Sequence, residues 1–65
     1  MDWDDLRFLL AAVRGGSLAR AAEELDTSAS TVSRRLAALE ESLGTSLLVR
    51  TPDGLRVTAA GQVLV

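Results

Sequence analysis

Three polar residues, Asp26-Thr27-Ser28, separate two stretches of helical periodicity, and that spacing constrains this chain more than any other feature. Before them, Leu18, Ala21, Ala22 and Leu25 form a short apolar face; after them, Val32, Leu36, Leu39 and Leu43 recur at helical intervals until Gly44. A connection this short makes the two helices meet at a corner, and the small side chains of Ala21 and Ala22 let them approach closely. A bulkier pair would hold them apart. The spacing therefore predicts a helix-turn-helix unit, with a second helix from Ser17 as N-cap to about Leu25 and a third over residues 30–43.

The flanking segments complete a domain. Over residues 2–14, Trp3, Leu6, Leu10 and Val13 lie on one helical face, Asp2 is a plausible N-cap, and Asp4 and Asp5 sit where the helix dipole favours negative charge. Gly15-Gly16 ends that helix. Further on, Leu47-Leu48-Val49-Arg50 and Leu55-Arg56-Val57-Thr58 read as β-strands around the turn Thr51-Pro52-Asp53-Gly54, a hairpin or wing. Thr58 then reads as the N-cap of a last helix through Val65. A helix so short does not persist alone, so we expect the sequence to be a fragment of a longer protein.

With 65 residues only one domain is reasonable, and 48% hydrophobic content excludes a disordered tail. There is no Cys or His, which removes disulfides and the usual zinc ligand sets. No cofactor or metal is expected. The chain also has no Lys or Tyr, and its carboxylates fall at helix starts or on solvent faces, an inventory that argues against an enzyme. The first residues do not form a signal peptide, and no apolar run approaches the roughly 20 residues needed to span a bilayer, so no membrane association is expected and a cytoplasmic protein is. Net charge is −2, unusual for a chain that binds nucleic acid, but the acids gather early. Residues 1–26 hold three arginines against six acids, and residues 27–58 hold four against three. One cationic face on an acidic body follows, with weak non-specific DNA affinity.

On the third helix, at about 100° per residue, the stripe Val32, Leu36 and Leu39 points inward, while Ser30, Arg34 and the small Ala37 lie on the opposite side and Ser33 and Arg35 flank it. Arginine can bond both guanine O6 and N7 in a major groove, and serine can reach a base edge or a phosphate, so Arg34 is the foremost base-reading candidate. Arginine on a helix is ordinarily just a solvated charge; the short helix, the tight turn and the hairpin around this one favour DNA reading. Arg50 and Arg56, read as the two feet of the hairpin, are candidates for phosphate contact, although charge on exposed strands also discourages edge pairing. Trp3 and Phe8 read as core or interface. A protein-interaction winged helix remains the alternative, favoured by the acidic charge and opposed by the lack of an apolar anchor on the outer face of the third helix.

GSLARAAEEL, STVSRRLAALEESLG and LVRTPDGLRVTAAG together resemble the N-terminal DNA-binding domain of LysR-type transcriptional regulators, across nearly the whole chain. The resemblance implies a mainly α winged helix-turn-helix over residues 1–58, with residues 59–65 opening a linker helix used for dimerisation. It implies sequence-specific binding of double-stranded DNA at a pseudo-palindromic operator, by a bacterial regulator that assembles as a homodimer or tetramer and senses a small-molecule effector through a domain absent here. The base-contacting surface then falls at Ala29, Ser30, Ser33 and Arg34, and backbone contacts at Ser17, Thr31, Arg35, Arg50 and Arg56. Ala29 stands where the family commonly has Gln, and Ser30 where it often has Pro, so base readout rests on fewer groups. Leu48 replaces a common Phe beneath the wing. Asp53 replaces a residue that is frequently basic at the wing tip, where the negative potential of a minor groove repels a carboxylate; the tip is not expected to penetrate.

Overall fold

The acidic start of the chain closes on itself. Asp2 Oδ1 accepts from the Asp5 N–H at 3.0 Å and Asp5 Oδ2 accepts from the Asp2 N–H at 3.4 Å, a reciprocal cap that opens helix α1 (Trp3–Gly15). The computed structural model describes residues 2–64; Val65, expected in the last helix, lies outside them. Gly16 ends α1 with φ at 73°, a left-handed conformation that glycine adopts without strain. Ser17 caps α2 (Leu18–Leu25), and Ser28 caps α3 (Ala29–Leu43), one residue earlier than the sequence suggests. Three residues join these helices, as the spacing requires. Strands β1 (Leu48–Thr51) and β2 (Gly54–Val57) pair antiparallel, and α4 (Ala59–Leu64) follows.

α1, α2 and α3 enclose the core. Leu9, Ala11, Ala12, Ala21 and Val32 are fully buried, and Phe8, Ala22, Leu36, Leu39 and Leu47 complete it. Both alanines of the α2 face are thus consumed by the corner, as small residues must be where backbones approach.

The face that α1 buries differs from the expected one. Trp3 is 73% exposed and Leu6, Leu10 and Val13 are only half-buried, while Phe8, Leu9, Ala11 and Ala12 face inward. From Phe8 to Val13 the sequence is apolar without interruption, so periodicity leaves the phase of the helix open; the small Ala11 and Ala12 permit the closest approach and turn inward. Trp3 is therefore not core. Leu43, read as the end of the α3 stripe, is 40% exposed because it lies in the last turn before Gly44, beyond the packed stretch.

The wing is also shifted by one residue. Leu47 precedes β1 as a buried anchor, Thr51 pairs with Gly54, and only Pro52 and Asp53 form the loop. The wing is tied down chiefly through main-chain groups. Glu40 Oε2 on α3 accepts from the N–H groups of Leu47 and Leu48 at 2.7 and 3.1 Å. The Leu55 N–H donates to the Gly16 carbonyl at 2.9 Å, and the Thr58 N–H and hydroxyl donate to the carbonyls of Leu47 and Ser46 at 2.9 and 2.7 Å. Gly54, at φ 124°, lies so near Gly16 that a Cβ would strike its carbonyl oxygen. Gly61 of α4 is buried likewise; a Cβ there would run into the Leu47 carbonyl oxygen and lie 2.8 Å from Val57 Cγ2.

Glu40→Ala leaves the amides of Leu47 and Leu48 without their acceptor, and should destabilise the fold by about 1–3 kcal/mol in urea unfolding. Glu40→Gln, which keeps an acceptor oxygen, should cost less; equal losses would show that charge, and not the acceptor, matters. Ser28→Ala removes the α3 cap and should cost about 1 kcal/mol by the same measurement.

Candidate nucleic-acid interface

α3 has one side committed to the core and one left open. Val32, Leu36 and Leu39 are buried, while Ala29, Ser30, Ser33, Arg34 and Ala37 are exposed. Ser30 and Arg34 stand one turn apart, as do Ser33 and Ala37, so these four form a single outward ridge. It carries hydroxyls and one guanidinium and no bulky apolar group, a surface able to enter a groove lined with hydrogen-bonding edges.

The first turn of α3 organises this ridge. The Ser28 hydroxyl accepts from the Thr31 N–H at 3.2 Å, donates to Thr31 Oγ1 at 3.0 Å, and lies 3.2 Å from Ser30 Oγ. Thr31 Oγ1 in turn accepts from Arg34 Nη2 at 3.4 Å. Thr31, half-buried, thus touches Arg34 in addition to occupying a flank where a phosphate could lie.

Arg35 behaves differently from its neighbour. Its guanidinium turns toward α1, with Nη2 3.6 Å from Asp5 Oδ1 and Cζ 4.7 Å from the centre of the Phe8 ring. The spacing of residues placed Arg35 on a flank, but no periodicity could show that α1 offers it a carboxylate and an aromatic face. Asp5 and Phe8 are not legible as positioning residues because each acts on a segment about thirty positions away; Glu40 is not legible because it bonds main-chain amides across the loop after α3, which no periodicity marks.

Arg50 and Arg56 are not the two feet of the hairpin. Arg50 pairs with Leu55 next to the turn and Arg56 pairs with Val49, so the two arginines project from opposite faces of the ribbon. Leu48, Arg50, Leu55 and Val57 share the face turned toward the helices. There Arg50 lines a hollow with Ser17 and Leu18 at the start of α2, and an adjoining one with Ser33 and Ala37 of α3. Ser17 Oγ accepts from the Arg20 N–H at 3.1 Å as the cap of α2. Ser17, Ser33 and Arg50, read separately from the sequence, therefore border two neighbouring hollows that share Leu18, Arg50 and Leu55. Arg56 and Val49 face away from it, and Asp53 is exposed at the wing tip.

Relatives agree with this architecture. The chain is 50% identical over 56 residues to the Mau operon transcriptional activator of Paracoccus denitrificans, covering 86% of this chain and 19% of that protein. It is 42% identical over 65 residues to the HTH-type transcriptional regulator BbuR of Bordetella bronchiseptica, covering all of this chain and 20% of that one. The chain thus spans about a fifth of the length of these relatives. Among solved structures, the CbnR DNA-binding domain in its DNA complex superposes with a TM-score of 0.90 at 36% identity, over 97% of this chain and 72% of that one. The profile of the family described as "Bacterial regulatory helix-turn-helix protein, lysR family" matches residues 3–62. With the profile spanning almost every described residue and the winged helix-turn-helix in place, the chain belongs to the LysR family of bacterial regulators.

Proposed function

We propose that this chain is the DNA-reading domain of a bacterial transcription regulator, binding double-stranded DNA sequence-specifically with α3 in the major groove and the wing along the backbone. The outward ridge of α3 carries the reading: a helix whose only exposed cation at its centre, Arg34, is flanked by small hydroxyl residues fits a groove about 12 Å wide. The CbnR domain, closely similar in fold, is described in complex with DNA, which supports the same use here. The acidic net charge points to modest non-specific affinity, with register set by a few contacts.

In this reading Ala29, Ser30, Ser33 and Arg34 face the bases. Ser17 and Arg50, which line one hollow, hold a backbone phosphate between the start of α2 and the wing, and Thr31 flanks the groove beside Arg34. Arg50 carries this role in preference to Arg56, which projects from the other face of the ribbon. Residues 1–58 form the reading unit and α4 begins a linker helix that pairs two subunits on a pseudo-palindromic site. Support for that pairing comes from Val63 on α4, 85% exposed, and Trp3, 73% exposed, two apolar side chains that stand open among the described residues. Because the relatives are about five times longer, an effector-sensing domain belongs to the parent protein in this reading. The role is one of binding and not catalysis, and it locates the protein in the cytoplasm, where bacterial DNA lies; among the described residues no helix is long and apolar enough to cross a membrane.

A salt titration against a duplex library, with sequencing of the bound fraction, tests the assignment. The parent should enrich a short motif, and Arg34→Ala should relax a single position at a cost of about 1–3 kcal/mol. Arg50→Ala should weaken all sequences alike and lower the salt slope by about one unit. If no duplex is bound at low salt, even with two copies joined, the DNA reading fails and a protein-interaction role replaces it.

A further inference from the structure

We propose that Arg35 is a positioning residue: clamped between Phe8 and Asp5 of α1, its guanidinium fixes the rotation of α3 and thereby aims Arg34, instead of contacting a phosphate. The proposal rests on the DNA-binding reading above and assigns to one of its cations a different task.

Three observations carry it. First, the clamp has two parts of different character, a carboxylate oxygen at 3.6 Å and a ring face with the guanidinium carbon 4.7 Å from its centre. A planar guanidinium stacks on an aromatic face in a way that an ammonium does not. Second, both partners are held by contacts of their own besides Arg35. Phe8 is 7% exposed and belongs to the core, and Asp5 is held by its cap, with Oδ2 accepting from the Asp2 N–H and Oδ1 left for Arg35. Third, swinging Arg35 out to a phosphate would break both contacts and leave the Asp5 carboxylate without its cationic partner.

The consequence for base reading is geometric. Arg34 and Arg35 are adjacent, so their side chains diverge by about 100° around the helix. Apart from Phe8, the residues that α1 and α3 bury, Leu9, Ala11, Ala12, Val32, Leu36 and Leu39, are aliphatic, and such surfaces resist a small rotation less than a fork of directed contacts does. At a helix radius of about 5–6 Å, a rotation of about 10° moves an outward group by about 1 Å, enough to spoil two simultaneous hydrogen bonds to guanine.

Two experiments on the 65-residue chain decide the matter. In urea unfolding, Asp5→Asn, Arg35→Ala and the double variant should form a cycle with a coupling of about two- to fivefold in the unfolding constant, whereas additivity overturns the clamp. In the duplex library, Arg35→Ala and Asp5→Asn should each reduce discrimination at the one base position read by Arg34 by about threefold or more, at an unchanged salt slope. Arg35→Lys should not restore that discrimination, because it keeps the charge and loses the stack. A loss of stability alone would weaken all sequences equally and leave discrimination intact, which overturns the positioning role. The proposal also falls if Arg35→Ala lowers the salt slope by about one unit with discrimination intact, Arg35→Lys recovers it, and Asp5→Asn tightens binding, the pattern of a phosphate contact. If the parent binds no duplex, the DNA reading fails and the aiming role with it, while coupling in the unfolding cycle still separates that failure from the absence of a clamp.

Discussion

The close approach of α2 and α3 is the contact on which the remaining geometry depends. Ala21 and Ala22 are both buried, and the three-residue link from Leu25 to Ala29 leaves no slack to compensate for a wider separation. The outward ridge of α3 exists because the inward side of the same helix is spent on Val32, Leu36 and Leu39, and that inward side is set by how near α2 and α1 can come. In a chain this small, burial is limited, and close packing of alanines substitutes for bulk.

The wing depends on the same corner at one remove. The Gly16 carbonyl, placed by the left-handed turn between α1 and α2, accepts from Leu55, and Gly54 must be glycine for the hairpin to come so near. Glu40, less than one turn beyond Ala37 at the end of the outward ridge, holds the approach to β1. A single carboxylate and a single carbonyl supply the directed ties between helices and wing, beside the packing of Leu47, Leu48 and Leu55 against the core, and Arg50 is carried into the hollow beside Ser17 as a result.

Much of this was legible in the sequence, because caps, turn residues and helical stripes are local signals. Ser17, Gly16 and Gly44 mark their elements where the structure has them, and the turn around Pro52-Asp53 falls within the four residues read for it. What was not legible is instructive. The apolar run of α1 fits more than one buried face, so the stripe through Trp3, Leu6, Leu10 and Val13 is not the buried one; of the two aromatics read as core or interface, Phe8 is core and Trp3 is exposed. Both strand bounds lie one residue nearer the turn than expected, because Leu47 is strand-like in type yet serves as a core anchor; the register is the expected one, and a turn at residues 51–54 already puts Arg50 opposite Leu55 beside it, so Arg50 is not a foot in either reading. The engagement of Arg35 with Asp5 and Phe8 spans thirty positions, and no spacing rule reaches so far.

Nearly every tie that anchors the wing ends on main chain: the amides of Leu47, Leu48 and Leu55, and the carbonyls of Ser46 and Leu47. Beyond Leu47, Leu48 and Leu55, whose side chains pack on the core, these anchors do not depend on which side chains the wing carries. Val49, Arg50, Pro52, Asp53 and Arg56 are therefore free to be exchanged with little effect on the scaffold that presents them. A lineage built on this chassis can retune the chemistry of its wing, cationic in one descendant and neutral or acidic in another, by single substitutions that leave folding almost untouched.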